Sequence, residues 1–172
     1  TSLRGLRDSS EGASGSIGNV VASVQLIKKL DTQLQQSVLE FIKNLARIKK
    51  AAAYTNMAAH VLDEEKGNAI VKACDEIIAG QFHDQFLCDP IQGGAGTTAN
   101  MNANEVIANR AIEILGGKKG DYSIVHPNDH VNRAQSTNDV IPCAGKLTIL
   151  NLLPGFVAEL ERLHKALRDK SI

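Results

Sequence analysis

Apolar residues recur at three- and four-residue steps over long stretches of the chain, which is the period of an amphipathic α-helix. The spacing appears over residues 34–48, over 63–80 after an acidic opening, over 100–115, and over 140–170. Acidic residues favour a helix N-terminus and glycine, here Gly80, favours its C-terminus. The pattern predicts a mainly α protein with little or no β. The first stripe consists of Leu34, Val38, Phe41, Ile42, Leu45 and Ile48.

Three segments break this period. Residues 1–20 are rich in Gly and Ser, which predicts a flexible or irregular segment. Residues 81–90 contain two Phe and predict a short strand or an extended loop. The stretch 126–142 concentrates amides, hydroxyls and histidines, and its Pro127 predicts a turn. Pro154 predicts a kink in the last helix.

Composition and charge narrow the function classes. The 172 residues carry no formal net charge, and Lys-Lys pairs at 28, 49 and 118 are scattered without stacking aromatics, so nucleic acid is not an expected partner. No run approaches the ~18 apolar residues of a membrane helix, and the start lacks a signal-peptide profile, so no membrane is expected either. Three cysteines without CxxC spacing indicate neither a disulfide framework nor a zinc site, and they favour a reducing cytoplasm.

The segment QSTND, residues 135–139, stands where the polar stretch meets the last helix. Free backbone N–H groups and the helix dipole make such a start an anion site, to which Ser136, Thr137 and Asn138 add two hydroxyls and an amide. The same residue types are the usual N-caps, and capping alone is the favoured alternative. Both roles can coexist, because a cap with spare donors can still hold a carboxylate.

The segment GGAGTTANMNANE, residues 93–105, repeats this design. A glycine turn brings Thr97 and Thr98 to a helix start, with Asn100 and Asn104 one turn apart. No Gly-Lys-Ser/Thr follows, so this is not a phosphate loop, and a tight turn with a capped helix is the alternative. Two such helix starts together would hold a small dianion without buried positive charge.

The histidines of the polar stretch have two interpretations. A turn histidine that bonds a backbone carbonyl is favoured over a ligand or a base for both His126 and His130. Asp129 and Asp139 are expected to orient neighbouring N–H groups. A metal is not expected, because the HxxxH spacing spans a proline turn and not a helix face.

Several long motifs resemble the aspartase/fumarase superfamily, over about residues 46–142. They are IKKAAAYTN, LDEEKGNAIVKACDEIIAG, GGAGTTANMNANEVIANRAIEILG and HPNDHVNRAQSTND. Within the superfamily the chain is most similar to aspartate ammonia-lyases, since fumarases more often show NDDVN and QSSND. The resemblance implies a helical N-terminal domain over 21–142 and the truncated start of a central helical bundle over 143–172. It also implies a cofactor-free, reversible elimination of ammonia from L-aspartate to give fumarate, in a homotetramer whose sites combine three subunits.

The resemblance also assigns roles by motif. Thr97 matches a substrate contact, and Ser136, Thr137 and Asn138 match a carboxylate-binding trio that Gln135 and Asp139 would support. Further candidates are Asn100 for the substrate, and His126, Asn128 and Asp129 for a second anion site.

The chain also departs from the family's pattern. The family's serine loop and its threonine-histidine pair are absent, so we expect no catalytic residue in this chain and no turnover by it alone. The alternatives are a class II fumarase portion and a non-catalytic helical assembly domain.

Overall fold

A computed structural model describes residues 3–88 and 95–171, with side chains from residue 23 onward. The chain divides into two compact units, with the boundary between Val38 and Leu39. No strand occurs in the described ranges, and the mainly α prediction is confirmed. The elements are helix α1 (Leu3–Ala58), helix α2 (Glu64–Ile78), a 3-10 turn (His83–Gln85), helix α3 (Thr97–Ile114), a π-helical turn (Pro127–Val131) and helix α4 (Thr137–Lys170).

The beginning of α1 differs from the sequence prediction. The backbone is helical from Leu3, where the Gly- and Ser-rich composition predicted an irregular segment up to residue 20. Gly and Ser each disfavour a helix by less than about 1 kcal/mol, whereas each residue added to an existing helix gains one backbone hydrogen bond. Extension of a formed helix therefore overrides the local preference.

The first unit has described side chains from residue 23 to 38. Its apolar side chains are largely exposed: Leu26 is 58% exposed, Ile27 63% and Leu34 62%. The predicted stripe therefore lacks packing partners within this unit. In the second unit the stripe is buried at Ile42 and Leu45.

The segment between α2 and α3 contains a second difference. Residues 83–85 form a 3-10 turn and not a strand, and Phe82 before them has a left-handed backbone with φ of 60°. Such a residue cannot continue an extended path, which explains the missing strand. Residues 89–94, which include Gly93 and Gly94 of the predicted glycine turn, lie outside the described part of the chain.

The second unit has its main core between α1, α2, α3 and the 127–131 turn. Helix α2 has the predicted acidic opening and glycine end: the Asp63 carboxylate accepts the N–H of Lys66 at 3.1 Å, and Gly80 follows the helix with φ of 101°. Burial of each large apolar side chain stabilises the fold by roughly 1.5–3 kcal/mol. The fully buried members include Ile70, Ile77, Ile107, Ile112 and Val125.

A smaller cluster joins α1, α3 and the beginning of α4. It consists of Leu45, Ala103, Val140 and Ala144, all of them at most 1% exposed. Nearby, the buried amide of Asn44 donates to the Thr148 hydroxyl oxygen at 3.0 Å, a direct bond from α1 to α4. These contacts fix the start of α4 beside α3.

Beyond Thr148, α4 exposes apolar side chains such as Leu150, Phe156 and Leu163. Within the described ranges it is the one helix that is long and apolar enough to cross a membrane by length and composition, with a window of mean hydropathy 1.5. The criterion applied to the sequence, an uninterrupted run of ~18 apolar residues, does not detect this helix. Asn151 and Pro154 interrupt the apolar runs of α4. The mean hydropathy over a window tolerates such interruptions, so the helix passes that test. A helix that packs in a bundle passes the same test.

Candidate functional site

Ser136 caps the start of α4. This residue is the N-cap, in extended conformation with φ of −116°, and its hydroxyl oxygen accepts the N–H of Asn138 at 3.2 Å. The capping interpretation is therefore confirmed for Ser136. Its hydroxyl proton remains able to donate, and the side chain is exposed together with that of Asn138. Thr137, the first helical residue, is half-buried.

The start of α3 depends on Gly96. Its φ of 83° is left-handed, and a Cβ atom there would lie 2.9 Å from Cγ2 of Ile141, so glycine is required twice over. As an N-cap, glycine offers no side-chain acceptor to the first N–H groups of α3, which begin at the exposed Thr97. Ile141 is one helical turn beyond Thr137, so this contact sets the two helix starts side by side.

A buried amide joins the two helix starts directly. Asn100 is 1% exposed, and its Nδ2 donates to Oγ1 of Thr137 at 3.0 Å and to Oδ1 of Asn132 at 3.3 Å. Because Oγ1 of Thr137 accepts this bond, the hydroxyl proton of Thr137 is free to donate elsewhere. Oδ1 of Asn100 is buried and has no partner in the described part of the chain. An unsatisfied buried acceptor is uncommon in folded proteins.

Lys49 lies on the far side of this network. Its side chain is 0% exposed, and Nζ donates to Oδ1 of Asn132 at 2.7 Å. Burial lowers the pKa of Lys49 to about 8, while the neighbouring Cys74 opposes that shift. The expectation of a site without buried positive charge is therefore corrected. The sequence carried one signal: Lys49 is four residues from both Leu45 and Ala53, within the buried stripe.

Two side chains bond the backbone of the segment that leads into α4. Gln135 donates from Nε2 to the carbonyl of Val131 at 2.9 Å, and Asn132 donates from Nδ2 to the carbonyl of Gln135 at 3.2 Å. This geometry fits the supporting role predicted for Gln135. Asp139 is exposed, and its carboxylate bonds no N–H group in the described ranges, so the orienting role predicted for it is not supported. Its charge is favourable at the helix N-terminus.

The 127–131 turn is held by two histidines. Nδ1 of His126 accepts the N–H groups of Asn128 and Asp129, each at 3.2 Å, and Nδ1 of His130 accepts the N–H of His126 at 2.7 Å. The predicted carbonyl partners are therefore wrong: the ring nitrogens are acceptors, because the first N–H groups of the turn need them. Burial, and then Lys66, lower the pKa of His130. Asn128 and Asp129 are exposed.

The predicted residues thus fall into two groups. The structure brings the starts of α3 and α4 together through Asn100 and Thr137. The 127–131 turn connects with this pair through Asn132, whose N–H donates to the carbonyl of Pro127 at 2.9 Å. No direct hydrogen bond in the described ranges links His126 to Thr97 or to the trio at 136–138.

The chain matches a known protein family. The sequence profile of the family described as Lyase matches residues 21–172. Aspartate ammonia-lyase from Bacillus subtilis (strain 168) is 55% identical over 132 residues, which are 77% of this chain and 28% of that protein. Fumarate hydratase class II from Wigglesworthia glossinidia brevipalpis is 44% identical over 168 residues, 90% of this chain and 36% of that protein. The chain therefore spans well under half the length of these relatives.

The fold has a matching solved structure. The crystal structure of fumarate lyase:delta crystallin from Brucella melitensis bound to cobalt superimposes with a TM-score of 0.73 at 51% sequence identity. The match covers 77% of this chain and 29% of that chain.

Proposed function

Because the chain belongs to the lyase family, within the aspartase/fumarase superfamily, we propose that it supplies the dicarboxylate-binding part of an aspartate ammonia-lyase. The complete enzyme would reversibly eliminate ammonia from L-aspartate to give fumarate, without a cofactor. The observation that carries this proposal is the bond from Asn100 to Thr137, which unites the two helix starts predicted to bind substrate.

The donors at these starts suit a carboxylate. Thr97 is exposed, no side chain caps the first N–H groups of α3, and the hydroxyl proton of Thr137 is free because its oxygen accepts from Asn100. Ser136 and Asn138 add exposed polar groups. All of these groups are uncharged, and fixed dipoles of this kind stabilise the negative charge that develops in a transition state.

The reaction makes use of such donors. A base removes a proton from the carbon next to one carboxylate, and the electron pair moves onto that carboxylate to give an enediolate-like dianion. The pair then returns to form the carbon–carbon double bond of fumarate as the carbon–nitrogen bond breaks and ammonia leaves. Hydrogen bonds to the carboxylate oxygens therefore strengthen at the intermediate. We expect the base on another segment of the complete enzyme, so the isolated chain should be inactive.

A class II fumarase portion is the second candidate. The Wigglesworthia fumarate hydratase aligns over 90% of the chain, compared with 77% for the Bacillus ammonia-lyase. In that case the same helix starts would hold fumarate while water is added.

An assay of two substrates decides between these candidates. The complete lyase that carries this chain, or the Bacillus subtilis aspartate ammonia-lyase with its matching segment replaced by this chain, is given L-aspartate or L-malate. Fumarate absorbance that rises with L-aspartate supports the proposal. A rise with L-malate alone assigns a fumarase. A folded protein that is silent with both substrates indicates a non-catalytic assembly domain.

We further propose a cytoplasmic homotetramer for the complete protein. The exposed apolar side chains of α4, such as Leu150 and Phe156, would pack against helices of neighbouring subunits. Sedimentation equilibrium of the complete protein tests this, and a monomer at micromolar concentration would contradict it.

A further inference from the structure

Lys49 is a buried cation with an incomplete set of partners. It is 0% exposed, and its ammonium group, which has three donors, makes one hydrogen bond in the described ranges, to Oδ1 of Asn132 at 2.7 Å. A buried charge is costly unless it is paired, so buried lysines normally have a carboxylate nearby. In the described ranges no carboxylate lies within ion-pair distance of Lys49. The fold therefore retains an unbalanced positive charge at this position.

The hydrogen bonds from Lys49 lead to the proposed site in three steps. Nζ of Lys49 donates to Oδ1 of Asn132, and Nδ2 of Asn100 donates to the same oxygen at 3.3 Å. Nδ2 of Asn100 also donates to Oγ1 of Thr137 at 3.0 Å. Lys49 thus fixes the Asn132 amide with its oxygen toward Asn100, which in turn presents its own N–H groups to Thr137.

Lys49 is the charged member of this hydrogen-bond network. Cys74 faces it from α2, and burial raises the pKa of that thiol to about 12, so the thiol is neutral near pH 7. The other members are amides and a hydroxyl, which do not titrate. Burial holds the pKa of Lys49 at about 8, and an anion bound at the helix starts would favour the protonated form.

On the basis of the proposed function, we propose that Lys49 is a positioning residue: its buried ammonium orients Asn132, Asn100 and Thr137, and its charge favours a dicarboxylate. The role is indirect, since Asn132 and Asn100 separate Lys49 from Thr137. Dicarboxylate binding should therefore be linked to protonation of Lys49 near pH 8. This linkage distinguishes the role from a purely structural one.

The test uses the complete lyase, or the Bacillus chimera, in four forms. These are the wild type, Lys49→Met, Lys49→Arg and the control Lys50→Met. Lys50 is the next residue on α1, where it pairs with Asp75 of α2 at 2.6 Å, and no hydrogen bond in the described ranges joins it to Asn132. Succinate serves as a dicarboxylate that cannot be eliminated. Its binding is measured by calorimetry at pH 8 in two buffers of different ionisation enthalpy, which reports proton uptake.

We expect wild type and Lys50→Met to take up a fraction of a proton with succinate, and Lys49→Met and Lys49→Arg to take up none. Lys49→Met should weaken succinate binding and raise KM roughly 10-fold or more, the effect of losing a charged hydrogen bond, with a smaller change in kcat. The wild-type KM should rise as pH increases through about 8. Lys49→Arg should recover part of the affinity and lose this rise, because arginine stays charged.

The outcomes separate this inference from the proposed function. Proton uptake that persists in both Lys49 variants would overturn the role of Lys49 while an active wild type keeps the proposed function. A wild type that turns over neither substrate yet binds succinate with Lys49-dependent uptake would overturn the lyase assignment alone. If Lys49→Met does not fold, the proton uptake and the pH dependence of KM of Lys49→Arg test the role of Lys49. A wild type that binds no succinate would overturn both.

Discussion

The side-chain amide of Asn100, on α3, donates to the hydroxyl oxygen of Thr137, on α4, at 3.0 Å. The two residues are 37 positions apart, and each belongs to the first turn of its helix. The bond leaves the Thr137 proton free and leaves Oδ1 of Asn100 buried without a partner in the described part of the chain. The hydroxyl proton of Thr137 is therefore available to an acceptor group of a ligand at the helix starts.

Removal of the Thr137 hydroxyl should impair the complete enzyme more than its fold. We expect Thr137→Val to lower kcat/KM by at least ~10-fold, or about 1.4 kcal/mol, because the donor to the carboxylate is lost. Thr55→Val is the matched control, since the Thr55 hydroxyl only bonds the carbonyl of Ala51 on its own helix. Steady-state kinetics with a parallel melting curve measure both. Normal kinetics with a lowered Tm would make Thr137 a structural residue.

Asn100 and Thr137 should act as a unit. We expect Asn100→Ala to lower kcat/KM as Thr137→Val does, and the double variant to lose less than the sum of the two. A coupling free energy on the order of 1–2 kcal/mol fits residues in one hydrogen-bond network. The double-mutant cycle is measured in kcat/KM of the complete enzyme. Additive losses would show that the bond at 3.0 Å does not contribute to catalysis.

Lys49→Met should stabilise the complete protein at neutral pH while it weakens dicarboxylate binding. Burial holds the folded pKa of Lys49 at about 8, below the ordinary lysine value of 10.5, so the charged form is disfavoured by about 3 kcal/mol in the fold. Between pH 8 and 10.5 the unfolded chain binds more protons, so the free energy of unfolding of the wild type rises with pH. The advantage of Lys49→Met should therefore be largest below pH 8 and shrink toward pH 10.5. Denaturant titrations at several pH values check this, and a constant difference would contradict it.

His130 should make the 127–131 turn sensitive to acid. Burial, followed by the charge of Lys66, lowers its pKa from the ordinary 6.5, while Asp129 opposes the shift and His126 and Arg133 add to it. Below pH 6.5 the unfolded chain then binds more protons than the folded one, so stability is lost as pH falls through the lowered pKa. Protonation also removes the acceptor for the N–H of His126.

The matched variants are His130→Asn and His164→Asn. The Asn oxygen can replace Nδ1 as acceptor without titrating, so His130→Asn should lose less Tm between pH 7 and 5 than the wild type. His164 is exposed on α4 and its variant should follow the wild type. Equal acid sensitivity in all three proteins would rule out His130 as the source.

The sequence predicted local features well where one residue type determines one geometry. The structure contains three features that the sequence predicts: Ser136 at an N-cap, the acidic opening of α2 and Gly80 after α2. Each depends on the chemistry of a single turn, which composition reveals. The helix over residues 3–20 was missed because propensity is a weak guide beside the extension of a formed helix.

Apart from the position of Lys49 among buried residues of α1, the sequence patterns did not reveal the hydrogen-bond network behind the site. Lys49 looks like half of a surface Lys-Lys pair, and only the packing of α1 buries it while the adjacent Lys50 is only partly buried. The bond between Asn100 and Thr137 depends on how α3 meets α4, which the contact of Gly96 with Ile141 sets. Long-range contacts of this kind leave no periodic signal in the chain.

A crystal structure of the complete lyase with succinate tests the central claim most directly. If the starts of α3 and α4 bind a dicarboxylate, one carboxylate will lie within hydrogen-bond distance of the Thr97 and Thr137 hydroxyls, with the bond from Asn100 to Thr137 intact. Succinate bound elsewhere, with the Thr137 hydroxyl donating to protein atoms alone, would contradict the account.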